Sequence, residues 1–211
     1  MKLINGNLKI VEEYTLNKTK EAYIVESLEA PGENLLLELF EGNSHQMLIK
    51  DYINFHVNYK NVSHKYILKT IDFKRVDTIN LKPVYGSLFY SLSEYTDWKR
   101  LDAIKTPFSE TEMASIFIKL FQTIDYLHFR GFTYNYLTPD NIFISEDHDI
   151  KISSIAKVIE CSYYSEKHVD NYKYLAPELF NSETKVSFKS DYFSLGLLLE
   201  DFMLPSIDKN N

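Results

Sequence analysis

The sequence predicts an α+β fold in two parts, a sheet-rich N-terminal part followed by a helix-rich C-terminal part. Three observations carry this. Short strand-like apolar runs, punctuated by turn residues, fill the stretch up to Tyr95. Apolar residues then recur at helical spacing in two long segments. Of the 211 residues 45% are hydrophobic and 15% aromatic, so the chain can bury a sizeable core and is not a disordered or fibrous one. The junction falls at Glu94-Tyr95-Thr96-Asp97, which divides the chain into 1–95 and 96–211.

Leu8 with Ile10, and then Ala22-Tyr23-Ile24-Val25, read as strands. Pro31-Gly32-Glu33-Asn34 is a turn, and 35–40 a short buried strand. Leu48, Tyr52, Phe55, His56 and Tyr59 recur at helical spacing, so an amphipathic helix is expected over 44–60. Strand character returns at 67–76 and 84–95, around a loop at 80–83. Ser109-Glu110-Thr111-Glu112 is a capping box, in which serine and glutamate side chains satisfy the first free backbone N–H groups. Met113, Ile116, Phe117, Leu120, Ile124 and Leu127 follow every 3.6 residues, until Gly131 ends the helix. Strands at 142–144 and 150–152 flank a turn at 146–149, and 157–175 is irregular. A mostly apolar helix is expected over about 190–204, with Pro205 limiting its continuation.

Lys plus Arg is 23 and Asp plus Glu is 30, so the net charge is −7, a balance that points away from nucleic acid and anionic membrane surfaces. Cys161 is the single cysteine, which excludes an internal disulfide and a thiolate zinc cage. The N-terminus lacks an apolar signal region, and no apolar run approaches the ~20 residues of a membrane helix. A cytoplasmic protein without membrane insertion is expected.

Four stretches, taken in order and spacing, resemble a protein kinase. Tyr134-Asn135-Tyr136-Leu137-Thr138-Pro139-Asp140-Asn141 stands where a kinase has the catalytic loop H-R-D-L-x-P-x-N. Lys151-Ile152-Ser153-Ser154 stands where a strand runs into D-F-G. Ala176-Pro177-Glu178 matches A-P-E, and Ser190-Asp191-Tyr192-Phe193-Ser194-Leu195-Gly196 matches the S-D-x-W-S-x-G opening of the central C-lobe helix. The resemblance runs over roughly residues 8–204. It implies a protein-kinase-like two-lobed fold, with the C-lobe truncated after the central helix.

It also implies where phosphotransfer residues would stand. The glycine positions of the loop that covers phosphates hold Thr15, Asn17 and Lys20. The strand lysine falls on Glu38, whose carboxylate repels phosphate by about 4 kcal/mol per charge pair at ~4 Å and an effective dielectric near 20. The helix glutamate that partners that lysine falls near Phe55. The catalytic base becomes Tyr136, which with a pKa of about 10 is a poor proton acceptor at neutral pH. The loop lysine becomes Thr138, and the metal-binding aspartate becomes Ser154. Asn141 alone remains of the metal ligands; it is the residue to touch a nucleotide or metal if either binds, but one neutral amide does not hold Mg²⁺ in place of a carboxylate. The implied site thus has no catalytic residue, no resident metal and no expected ATP or Mg²⁺. The structural motif residues Ala176, Pro177, Glu178, Asp191 and Gly196 remain, with Asp191 expected to hold the catalytic-loop backbone and Asn141 to be dispensable for folding.

Asp140, Asp147 and Asp149 near His148 offer carboxylates, but a solvated hairpin turn accounts for them. Lys18 and Lys20 read as an exposed charged turn. Tyr163 and Tyr164 are two of 16 tyrosines and are read as packing residues rather than phosphosites. His64 reads as a local hydrogen bonder. The expected function is a catalytically inactive (pseudokinase) domain, a regulatory or binding module in signalling whose partner is an attached output domain or another protein. A composition rich in Lys, Ile, Asn and Tyr resembles that of bacteria with AT-rich genomes. The chain is similar to kinase-like N-terminal regions of multidomain bacterial signalling proteins, whose output domain can be a diguanylate cyclase. The rival readings are an atypical ATP-dependent kinase using Lys18 or Lys20 for phosphate and Asp140 or Asp149 for metal, and a small-molecule sensor with a cleft lined near Ser93-Glu94-Tyr95-Thr96. The helix at about 190–204 is apolar around most of its circumference, so a second copy of the chain, as in a homodimer, or a following domain is expected to cover it.

Overall fold

The structure, a computed structural model, describes residues 2–14, 22–41, 62–135, 137–153, 172–180 and 187–207. The helix expected over 44–60, with Phe55, lies outside the described residues, as do Thr15, Asn17, Lys18, Lys20, Tyr136, Ser154, Cys161, Tyr163 and Tyr164. The chain folds into two compact units: Met1–Ser63 with Leu68–Tyr95, and His64–Ile67 with Thr96–Asn211.

The first unit is built on an eight-stranded antiparallel sheet, ordered β5-β8-β4-β3-β2-β1-β6-β7. Its strands are β1 (Lys2–Ile4), β2 (Leu8–Tyr14), β3 (Ala22–Ser27), β4 (Asn34–Glu41), β5 (Thr70–Arg75), β6 (Thr78–Ile79), β7 (Lys82–Pro83) and β8 (Leu88–Glu94). Side chains alternate between faces along each strand. One face gathers Tyr23, Val25, Leu35, Leu37, Tyr90 and Leu92 into the core, with Ile4, Leu8 and Val76 packed in. The opposite face carries Ala22 and Leu36, with Tyr14 and Tyr95 against them. Ala22 pairs with Glu38 and Glu38 with Ser91, so Glu38 belongs to this second face.

The expected loop at 80–83 is instead a tight hairpin. Asn80 and Leu81 both take left-handed backbone, φ 51° and 64°, the pattern that lets a two-residue turn follow the strand twist. Asn80 also accepts from the Leu3 N–H through its side chain (2.9 Å), which ties the hairpin to β1.

In the second unit, α1 (Glu110–Phe129) begins with the capping box: the Glu112 N–H donates to Ser109 Oγ at 3.3 Å, and the Ser109 N–H to Glu112 Oε2 at 2.8 Å. Its buried stripe is Met113, Ile116, Phe117, Leu120, Ile124 and Leu127. Gly131, at φ 81°, closes the helix with its N–H on the His128 carbonyl (2.9 Å). A three-stranded sheet follows, ordered β11-β10-β9, from β9 (Lys99–Arg100), β10 (Ile142–Ile144) and β11 (Ile150–Ile152). The last helix, α2 (Lys189–Ile207), packs against α1. It continues two residues past Pro205, contrary to the expected stop. A proline in the last turn forgoes only its own bond to the carbonyl four residues back, and the remainder of the turn still forms.

Leu195 and Leu198 bury the inner side of α2, while Tyr192, Phe193 and Leu199 are exposed. Gly196 sits mid-helix with ordinary backbone, and a Cβ built on it meets no described atom within 4 Å. Gly196→Ala is therefore expected to raise stability by about 0.5–1 kcal/mol, by reducing the freedom of the unfolded chain. A thermal midpoint at or below that of the parent would show that the motif glycine is needed for contact rather than tolerated.

Candidate functional site

The site grows from one buried carboxylate. Asp191, in the first turn of α2, is fully buried. Its Oδ2 accepts from the Tyr134 N–H at 2.9 Å and lies 2.8 Å from His128 Nε2, and its Oδ1 accepts from the Asn135 N–H at 2.6 Å. Burial pushes the Asp191 carboxyl up, and the hydrogen bonds from His128, Tyr134 and Asn135 pull against that. His128 is itself held by its ring stacking on Phe188, centroids 4.4 Å apart. The helix carboxylate thus fixes the start of the catalytic-loop segment through its backbone, independently of the side chains the loop carries.

Tyr134 is fully buried, and its hydroxyl donates to the Ser153 carbonyl at 3.1 Å, bracing the loop against the exit of β11. Asn135 takes left-handed backbone (φ 59°), a conformation asparagine tolerates better than most residues, and its amide donates to Thr133 Oγ1 at 2.7 Å. Next, Pro139–Asn141 forms one 3₁₀ turn. Asn141 is fully buried; its Nδ2 donates to Thr138 Oγ1 at 2.9 Å and its Oδ1 accepts from Ser153 Oγ at 3.0 Å. The Ser153 N–H donates to the Asn141 carbonyl at 2.8 Å. Both ends of the Asn141 amide are thus built into buried structure, which sets against the expectation that it is dispensable for folding a stability cost to be measured. Sequence reasoning assigned no role to Tyr134 or His128. The catalytic-loop pattern has a histidine at the tyrosine's place, and only the fold shows what each side chain reaches.

The A-P-E match docks on the same helix. Ala176 is fully buried, and Glu178 Oε1 accepts from Ser190 Oγ at 2.7 Å. Just upstream, Tyr174 donates to Asp201 Oδ2 at 2.6 Å, where Lys173 also binds at 2.6 Å. Burial and the Asp201 bond push the Tyr174 hydroxyl up to about 12, so it stays a neutral donor at working pH.

Glu38, in the first unit, is 2% exposed on β4, on the face shared with Ala22 and Leu36. Tyr14 and Tyr95 meet edge to face against that face, centroids 5.9 Å apart. Ser93 is buried, and Glu94 accepts from the Lys69 N–H at 3.0 Å. Of the carboxylates weighed for metal, Asp149 pairs with Lys119 at 3.0 Å. Burial raises the Asp149 carboxyl, but the Lys119 ammonium outweighs it and holds it below the usual range. Asp140 is buried in the 3₁₀ turn. Among the described residues, no three His, Cys, Asp or Glu side chains converge to hold a metal ion.

A strand-rich unit, and a helix whose carboxylate holds a catalytic-loop backbone while an A-P-E segment docks on it, define a kinase-like α+β domain. The chain belongs to the protein kinase family: the family profile described as the protein kinase domain matches residues 41–206. It is 26% identical over 165 residues to developmentally-regulated protein kinase 1 of Dictyostelium discoideum, covering 77% of this chain and 22% of that protein. It is 25% identical over 124 residues to mitogen-activated protein kinase kinase 7 of Arabidopsis thaliana, covering 56% and 40%. It is also 31% identical over 112 residues to histidine protein kinase 1 of Candida albicans, covering 47% and 4%. The chain thus spans between 4% and 40% of the length of these relatives. No helix among the described residues is long and apolar enough to cross a membrane.

Proposed function

We propose that this protein-kinase-family chain is a domain without phosphotransfer, serving as a binding or regulatory module in signalling. The observation that carries the reading is the burial of Glu38 on β4, the residue on which the motif resemblance places the phosphate-pairing lysine. A carboxyl there supplies no cation to gather nucleotide phosphates. Two further sequence positions support it, since Tyr136 replaces the base and Ser154 the metal carboxylate. Against these losses, the parts that hold the fold persist, namely the Asp191 bonds, the buried Ala176 and the Glu178–Ser190 contact. A scaffold kept while its chemistry is lost acts by presenting surfaces, and its partner is an attached output domain or a separate protein.

The test is direct. Incubation with labelled ATP and generic protein substrates, under Mg²⁺ and under Mn²⁺, is expected to give no transfer above a buffer control. ATP with either metal is expected to leave the thermal midpoint unchanged. Transfer above the control that is lost on Asn141→Asp would overturn the reading and favour an atypical kinase.

A further inference from the structure

The second unit carries a groove of about 850 Å³ that no phosphotransfer position lines. Three segments form it: the stretch 97–108 ahead of α1, the first turn of α1 at Glu112, and the β10–β11 hairpin. Its apolar lining is Trp98, Ile104, Phe108 and Ile144, the last of these buried and the other three partly exposed. Its charges are lopsided, with Asp97, Glu112, Glu146, Asp147 and Asp149 set against the single ammonium of Lys99. Two of these carboxylates are engaged locally. Backbone and side-chain bonds from Ser109 hold the Glu112 carboxyl low, and Lys119 pairs with Asp149. Asp97, Glu146 and Asp147 are exposed and make no ion pair among the described residues.

The walls are braced. Lys119 Nζ donates to the His148 carbonyl at 2.8 Å as well as pairing with Asp149, which pins the hairpin turn to α1. His148 sits edge-on to Phe108, centroids 5.6 Å apart, with Nδ1 3.5 Å from Glu112 Oε1. A pinned concavity loses little freedom when something fills it.

We propose that this groove docks a basic peptide segment of a protein partner. Lysine or arginine side chains meet Asp97, Glu146 and Asp147 at the rim, and an apolar side chain enters between Trp98, Phe108 and Ile144. The charge balance selects a cationic occupant. The apolar lining selects a peptide over a bare polycation, because a polyamine would leave that surface wet, and Trp98 gives a guanidinium a ring face to stack on. The volume is that of a pocket taking several side chains. The inference gives the module reading a partner surface, yet stands apart from the loss of phosphotransfer, since Glu38, Asn141 and Asp191 are not part of the groove.

Trp98 is the single tryptophan of the chain, so its emission reports on the groove. The probe is a tryptophan-free hexapeptide of arginine and leucine, run beside a glutamate-for-arginine version, an alanine-for-leucine version and spermine. The basic peptide is expected to change Trp98 emission saturably and more weakly at high salt, and the acidic version not at all. Charge reversal at two exposed positions, Glu146→Lys with Asp147→Lys, is expected to weaken binding by roughly tenfold or more at an unchanged thermal midpoint. The alanine version is expected to bind several-fold more weakly. No saturable change, a doubly reversed variant that binds like the parent, or spermine binding as tightly as the peptide would each overturn the proposal.

Discussion

Replacing Asp191 with alanine is expected to lower stability by about 3 kcal/mol, read as a lower urea midpoint with an unchanged slope. Burial by itself works against an ionised carboxyl at this position, so the residue does not stabilise simply by being charged. The loss comes from what stays behind. The N–H groups of Tyr134 and Asn135 and the Nε2 of His128 all converge on this one side chain, in a region closed to water. Each buried donor left without an acceptor costs about 1–3 kcal/mol before relaxation. Asp191→Asn is not a rescue, because its amide nitrogen would turn a donor toward one of these donors. His128→Ala in the Asp191→Ala background is expected to cost far less than it does alone, since its partner is already gone. A variant with the parent's midpoint would show that the loop is held by other means.

How far such contacts are legible in sequence depends on their range. The helix α1 could be read because its cap, apolar period and terminal glycine all lie within one continuous stretch. The β10–β11 hairpin could be read because two isoleucine-rich triplets flank a polar turn. The strands β1, β6, β7 and β9 are two or three residues long, too short to show a period. They exist through distant pairing, as where Asn5 Oδ1 accepts from the Asp77 N–H 72 residues away. Pro205 misled for the opposite reason, since a local rule about proline says nothing of how near the residue lies to the helix end.

The site divides in the same way. Motif order located Asp191, Asn141 and Glu178, because kinase motifs are local strings. The bracing by Tyr134 was invisible, because it depends on a phenol reaching a carbonyl 19 residues onward. The acidic groove was invisible too, because its carboxylates come from 97, 112 and 146–149 and only the fold assembles them. His148 and its neighbouring aspartates were rightly assigned to a hairpin turn, yet the sequence could not show that this turn is one wall of a cavity.

Asn141→Ala is expected to cost about 2 kcal/mol, more than a residue that only stood at a ligand position would. The amide bridges Thr138 Oγ1 and Ser153 Oγ, hydroxyls whose residues are 0% and 5% exposed. Truncation strands both hydroxyls and opens a small void, with little room for water to repair the network. The aspartate variant separates geometry from charge. Both hydroxyls can rotate to donate to a carboxylate, so Asn141→Asp keeps the two bonds and adds only a buried charge. A position kept for the fold and one kept for metal then behave differently under Mn²⁺. In the first case the alanine variant loses the same stability with and without Mn²⁺. In the second its midpoint matches the parent in metal-free buffer, and only a Mn²⁺-induced rise in the parent disappears. The bonds at both ends of the amide lead us to expect the first outcome, and urea midpoints of the three proteins, with and without Mn²⁺, decide it.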